Sequence, residues 1–80
     1  MNAFRELDTV VLTHDVPDAG LCTGDLGAVV HLHSDEVVEV EFVTAAGRTQ
    51  ALLTLGTADV RAVRDDDLLA VRVAPHKGVA

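Results

Sequence analysis

Gly24-Asp25-Leu26-Gly27-Ala28-Val29-Val30 sets a turn built on two glycines directly before an apolar strand. Such a stretch is the entry to a small, strongly bent β-barrel. The flanking sequence extends that reading in both directions. Downstream, Leu26 to about His33 forms a second strand, Ser34-Asp35-Glu36 turns it back, and Val37 to Thr44 forms a third. Ala45-Ala46-Gly47-Arg48 makes the next hairpin turn, with Gly47 suited to a left-handed conformation. Thr49 to Leu55 returns as the fourth strand. Upstream, Asp8 to Leu12 carries the β-branched Thr9, Val10 and Val11 of a first strand. His14-Asp15-Val16-Pro17-Asp18-Ala19-Gly20 follows it as a polar loop punctuated by proline and glycine.

Gly56-Thr57-Ala58-Asp59 reads as one turn of 3₁₀ helix before a short fifth strand, Val60 to Val63. Long loop, three-stranded meander, one-turn helix and short closing strand together describe an all-β, SH3-like five-stranded barrel over residues 1–64. Closure removes the exposed edges that so small a sheet would otherwise carry. Asp65-Asp66-Asp67 then opens residues 65–80, expected to be an acidic linker, a candidate extra strand and a frayed tail from Pro75. Leu68-Leu69-Ala70-Val71-Arg72-Val73 regains β character, and either adds that strand to the barrel or pairs with a second molecule.

Composition bounds the function. Eighty residues make one domain near the lower limit of unaided folding, too small for a catalytic cleft with its own substrate domain. Half the chain is hydrophobic, but Phe4 and Phe42 are the only aromatics, so the core is aliphatic. Six Lys and Arg against thirteen Asp and Glu give a formal charge of −7. That balance argues against nucleic acid and anionic membranes, and favours a basic protein partner. The single Cys22 forms no internal disulfide and suits a reducing cytoplasm. The N-terminal residues lack the basic start and apolar run of a signal peptide, and no stretch is long enough to span a bilayer.

Several blocks carry a resemblance. They are Glu6-Leu7-Asp8-Thr9-Val10-Val11-Leu12, the loop ending Gly20-Leu21, and the opening glycine stretch. Glu39-Val40-Glu41-Phe42-Val43, Ala51-Leu52-Leu53-Thr54-Leu55 and Asp59-Val60-Arg61 follow in order. The set resembles small bacterial proteins known as a domain of unknown function (number four-nine-two-six), from roughly Phe4 to Val63. The resemblance agrees with the barrel and implies no activity or catalytic residue.

Strand alternation separates two faces. Leu26, Ala28, Val30 and Leu32 are expected to face the core with Val38, Val40, Phe42, Ala51, Leu53 and Leu55. Gly27, Val29, His31, His33, Glu39, Glu41 and Val43 fall on the other face, with Gln50, Leu52 and Thr54. A short turn at residues 34–36 then sets His31 opposite Glu39 and Val29 near Glu41. Val29, Val43 and Leu52 on that outer face form a candidate partner surface.

His31-Leu32-His33 points two imidazoles the same way, and Glu39 could complete a metal set. The plainer reading, exposed histidines beside glutamates, is preferred, and metal binding through His31, His33 and Glu39 stands as the alternative. His14-Asp15 lies where an SH3-like barrel presents binding residues, but adjacent residues rarely aim at one substrate atom. Asp15 and Asp18 bonding local amides explains that loop more simply. Cys22 has no neighbour that would activate it. Gly24-x-x-Gly27 leads into a strand and lacks the lysine and hydroxyl of a phosphate loop, so no cofactor is expected. RNA binding would need basic and aromatic residues around this turn, which is instead acidic.

The expectation is therefore a non-enzymatic interaction module. It acts as a small acidic cytoplasmic accessory, or as an immunity or inhibitor-type partner of a basic protein. His14, Asp15, Asp18, His31, Glu39 and Glu41 are its candidate contacts. Leu69, Val71 and Val73 are the candidate surface for a homodimer.

Overall fold

Runs of valine, threonine and leucine broken by glycine and acidic turns give five strands. These are β1 (Thr9–Leu12), β2 (Leu26–Leu32), β3 (Val37–Val43), β4 (Thr49–Gly56) and β5 (Val60–Ala62). The computed structural model describes residues 1–75. Its strands form one antiparallel sheet in the order β4-β3-β2-β1-β5. One-turn 3₁₀ helices occupy Pro17–Ala19 in the first loop and Thr57–Asp59 between β4 and β5. Strand content and order match the SH3-like expectation. Closure does not, because β4 and β5 remain the two edges, so the barrel is open and approximate. Ala51 of β4 and Val60 of β5 nevertheless enter the same core cluster. The sheet therefore curls around a single core.

That core is aliphatic. Val10, Leu12, Val29, Val38 and Val40 are fully buried, and Phe42 is the one aromatic among the buried residues. Burial of each such side chain contributes about 1.5–3 kcal/mol. β3 and β4 follow their expected phase: Val38, Val40, Phe42 and Ala51 are buried, and Leu53 and Leu55 pack against them half-buried.

β2 departs from its expected phase. Gly27 and Val29 are buried, Leu26 is exposed, and Ala28 and Val30 are half-buried. The cause is a β-bulge. Val29 pairs with Val40, the next pairing is His31 with Glu39, and Val30 is the extra residue between them. One inserted residue reverses the alternation, so Leu32 returns to the core opposite Val38. The same bulge leaves His31 opposite Glu39 as expected, but places Ala28, not Val29, opposite Glu41.

The glycines of the opening turn divide their roles. Gly24 adopts a φ of +94° in open space, as a left-handed turn residue does. Gly27 lies in β2 itself, where a Cβ would stand 2.5 Å from Val40 Cγ1 and 2.9 Å from the Phe42 ring. It is a contact point of the core rather than a turn former.

The candidate sixth strand does not form: residues 64–75 hold a turn, where the Asp67 amide donates to the Arg64 carbonyl at 3.0 Å, and no regular structure after it. Of the expected tail only Pro75 is described; His76 to Ala80 lie outside the described residues.

Candidate functional site

The first loop is fastened from within. His14 Nδ1 donates to the Asp15 carbonyl at 3.0 Å, and Nε2 lies 2.9 Å from Asp59 Oδ1. The other Asp59 oxygen accepts the Gly56 amide at 2.9 Å, so one carboxylate ties the loop to the turn before β5. Asp15 Oδ1 accepts both the amide (2.7 Å) and hydroxyl (3.0 Å) of Thr23. These bonds hold the Asp15 carboxyl below the ordinary carboxylate value. Asp18 stands exposed in the 3₁₀ turn. The loop thus presents Asp18 outward, while His14 and Asp15 fix its shape.

The outer face of β2 and β3 brings together His31, His33, Glu39 and Glu41. His33 Nε2 lies 2.7 Å from Glu39 Oε1. The His31 ring packs edge-on against His33, centroids 4.6 Å apart. Glu39 therefore engages His33 although its cross-strand neighbour is His31. Glu41 accepts the Thr49 hydroxyl at 2.6 Å. Among the described residues no three histidine, cysteine or carboxylate side chains are arranged so as to hold a metal ion, His31, His33 and Glu39 included. Beside Glu41, Leu52 is its cross-strand partner, and Val43 lies two residues along β3 on the same face. Both aliphatic side chains are 54% exposed. The two are exposed aliphatic side chains beside the carboxylates, with Gln50 as an extra β4 residue where the register shifts between Phe42 and Val43.

A second constellation has no local signature in the sequence. Asp25, in the turn before β2, receives Arg72 from 47 residues away, Nε to Oδ1 at 2.8 Å and Nη2 to Oδ2. The same Nη2 donates to the Gly20 carbonyl at 3.0 Å. Asp25 Oδ2 also accepts the Cys22 amide at 2.8 Å. The Arg72 guanidinium, then this amide, holds the Asp25 carboxyl below its ordinary value. Arg61 of β5 makes a similar fork to Asp67, at 2.9 and 2.8 Å. Residues 64–75 are thereby strapped back onto the domain.

Beneath the strap lies a groove of about 570 Å³, lined by Val11, Leu21, Leu26, Phe42, Val43 and Gln50 on the sheet side and by residues 68–72 of the strap itself on the other. The strap does not fill it with its own aliphatics. Leu68, Leu69, Val71 and Val73 are 94, 69, 99 and 85% exposed. Two ion pairs hold this segment down, together with the Pro75 ring, which packs over Gly20. The sequence gives each of these aspartates a purely local reading, a glycine turn for Asp25 and a charge cluster for Asp67.

Among the described residues, no helix is long and apolar enough to cross a membrane. A family model described as a domain of unknown function (DUF4926) matches residues 6–62. Gly20 and Asp25 fall inside that span and Arg72 outside it. No curated protein and no solved structure matches the chain.

Proposed function

Since the chain belongs to the family described as a domain of unknown function (DUF4926), we propose that this member is a non-enzymatic protein-interaction module for a basic partner. The supporting observation is the exposed pair Val43 and Leu52 on the outer face of β3 and β4, flanked by Glu39 and Glu41. Interfaces draw their energy from a desolvated apolar centre and their selectivity from the polar rim. Here the rim is acidic, and a formal charge of −7 speeds the approach of a cationic surface. His31, Glu39 and Glu41 make contact from the sheet and Asp18 from the first loop. His14 and Asp15 hold that loop in shape. The module acts in the cytoplasm, as an accessory, inhibitor or immunity-type partner.

The test is affinity purification from the native host with the wild-type chain and with a Leu52→Lys variant, which leaves Val43, a residue of the groove beneath residues 64–75, in place. A stoichiometric basic protein retained by the first and lost by the second is the expected result. Equal retention, or no stoichiometric partner, refutes the reading.

Self-association is a second reading, favoured by the exposure of Leu69, Val71 and Val73. Light scattering of the full chain against Leu69→Lys/Val71→Lys decides it. A dimer that the substitutions dissociate supports it, and a monomer in both forms excludes it.

A further inference from the structure

We propose that Asp25 and the Gly20 carbonyl form a receptor for an arginine side chain of a partner protein, occupied here by the chain's own Arg72. The chain itself shapes the receptor. With Arg72 seated, the Asp25 side chain is 17% exposed, and the Cys22 amide aims its carboxylate. Gly20, at a φ of +70°, ends the 3₁₀ turn and presents its carbonyl to the same guanidinium. Three acceptor contacts from two directions match the planar fork of arginine, which a lysine ammonium does not reproduce.

The seated strap shows what the site recognises. Leu68, Leu69, Val71 and Val73 remain largely exposed while Arg72 is clasped, so the guanidinium is the strap's polar attachment here, with the Pro75 ring over Gly20 beside it. The adjoining groove, floored by Val11, Leu21, Leu26 and Phe42 and walled on one side by Leu68, Leu69 and Val71 of the strap, has unfilled apolar room. The occupant is therefore an arginine-bearing segment of a basic partner whose flanking aliphatic residues enter that groove. Charge complementarity supports it, because carboxylates exceed cations by seven. The receptor lies within the family domain and its plug beyond it. Arg72 then acts as an intramolecular competitor at an effective concentration of about millimolar, and partner binding requires its release.

This proposal rests on the interaction-module reading and is tested separately from it. The probe is a fluorescent peptide with the sequence of residues 68–75, titrated into full-length chains and followed by anisotropy. Saturable binding to Arg72→Ala, at least about tenfold tighter than to wild type, is expected from removal of the competitor. Asp25→Asn in the Arg72→Ala background, or lysine in place of the peptide's arginine, should each weaken it about tenfold or more. Circular dichroism checks the fold, and Arg72→Lys provides the same comparison where Arg72→Ala does not fold. No binding at millimolar peptide, or binding indifferent to Asp25→Asn, overturns the proposal. A wild-type dimer abolished by Asp25→Asn also overturns it, by assigning the receptor to a second copy. Host-partner capture that survives when the peptide fails sinks this inference alone. Peptide binding with no host partner sinks the Val43 and Leu52 surface alone.

Discussion

His14 and Asp59 meet at 2.9 Å between Nε2 and Oδ1, joining the long first loop to the turn before β5 across 45 residues of chain. The other imidazole nitrogen donates to the Asp15 carbonyl. Only the imidazolium donates from both nitrogens at once. The Asp15 carbonyl first, then the Asp59 carboxylate, raises the His14 pKa.

A raised folded-state pKa means that protonation favours folding. The His14 contribution is full below the ordinary histidine value of about 6.5 and fades as pH rises through the raised value. Thermal melts of wild type and His14→Gln should therefore differ most below about pH 6.5 and draw together as pH rises above it. Added salt should narrow the gap, since the pair is solvent-exposed. A difference that grows with pH would contradict the assignment.

Carboxylates set the opposite limb. Arg72 lowers Asp25, the Thr23 amide and hydroxyl lower Asp15, and Arg61 with the Arg64 amide holds Asp67 far below the usual range. Depressed pKa values contribute stability that is present above the unfolded value of about 3.9 and lost as pH falls below it. Melting temperature should drop steeply below about pH 4 in the wild type. Asp67→Asn should lower it at neutral pH and flatten that acid limb, which a melt series across pH measures directly.

Leu7 is the one described non-glycine residue with positive φ, at +72°. Its amide donates to the Val29 carbonyl at 2.6 Å, which holds the backbone there, while its side chain is 80% exposed. A left-handed leucine costs about 1–2 kcal/mol, and no buried contact compensates. Leu7→Gly removes that strain but loosens the unfolded chain, leaving a net gain of up to about 1 kcal/mol. Urea denaturation should show a higher midpoint at an unchanged slope.

What the sequence made legible was local. All five strands and the second 3₁₀ turn lie within a residue or two of where β-branched runs and turn residues put them. β3 was readable because Glu39 and Glu41 alternate with Val38, Val40 and Phe42, so only one face could be buried. β2 carried no such contrast: Leu26 to Val30 is apolar or glycine throughout, and either phase satisfies it. The bulge at Val30 was therefore invisible, and with it the burial of Val29. Arg72 on Asp25 was invisible for a different reason. No periodicity links residues 47 apart, and Asp25 already had a sufficient explanation as a turn residue. The contact set read from the first loop met the same difficulty, since His14 and Asp15 look alike from sequence whether they bind a partner or fasten the loop.

Gly27 gives the sharpest test of the core. Its place in Gly24-x-x-Gly27 suggests a residue needed for backbone freedom, but its φ is not in the left-handed range. What it lacks is room. An alanine Cβ would meet Val40 Cγ1 at 2.5 Å and Phe42 at 2.9 and 3.0 Å, and both neighbours are buried. Neither can swing to solvent, so Gly27→Ala should destabilise the fold by about 1–3 kcal/mol through overpacking. Without that clash the reverse is expected, because alanine at an ordinary φ reduces the entropy of the unfolded chain. Val40→Ala alone should also destabilise, by opening a cavity. Combined with Gly27→Ala, it removes the atom that the new methyl strikes. The double variant should then be more stable than the sum of the two single losses, by about 0.5 kcal/mol or more. Strict additivity in urea melts would place the cost of Gly27→Ala elsewhere than against Val40.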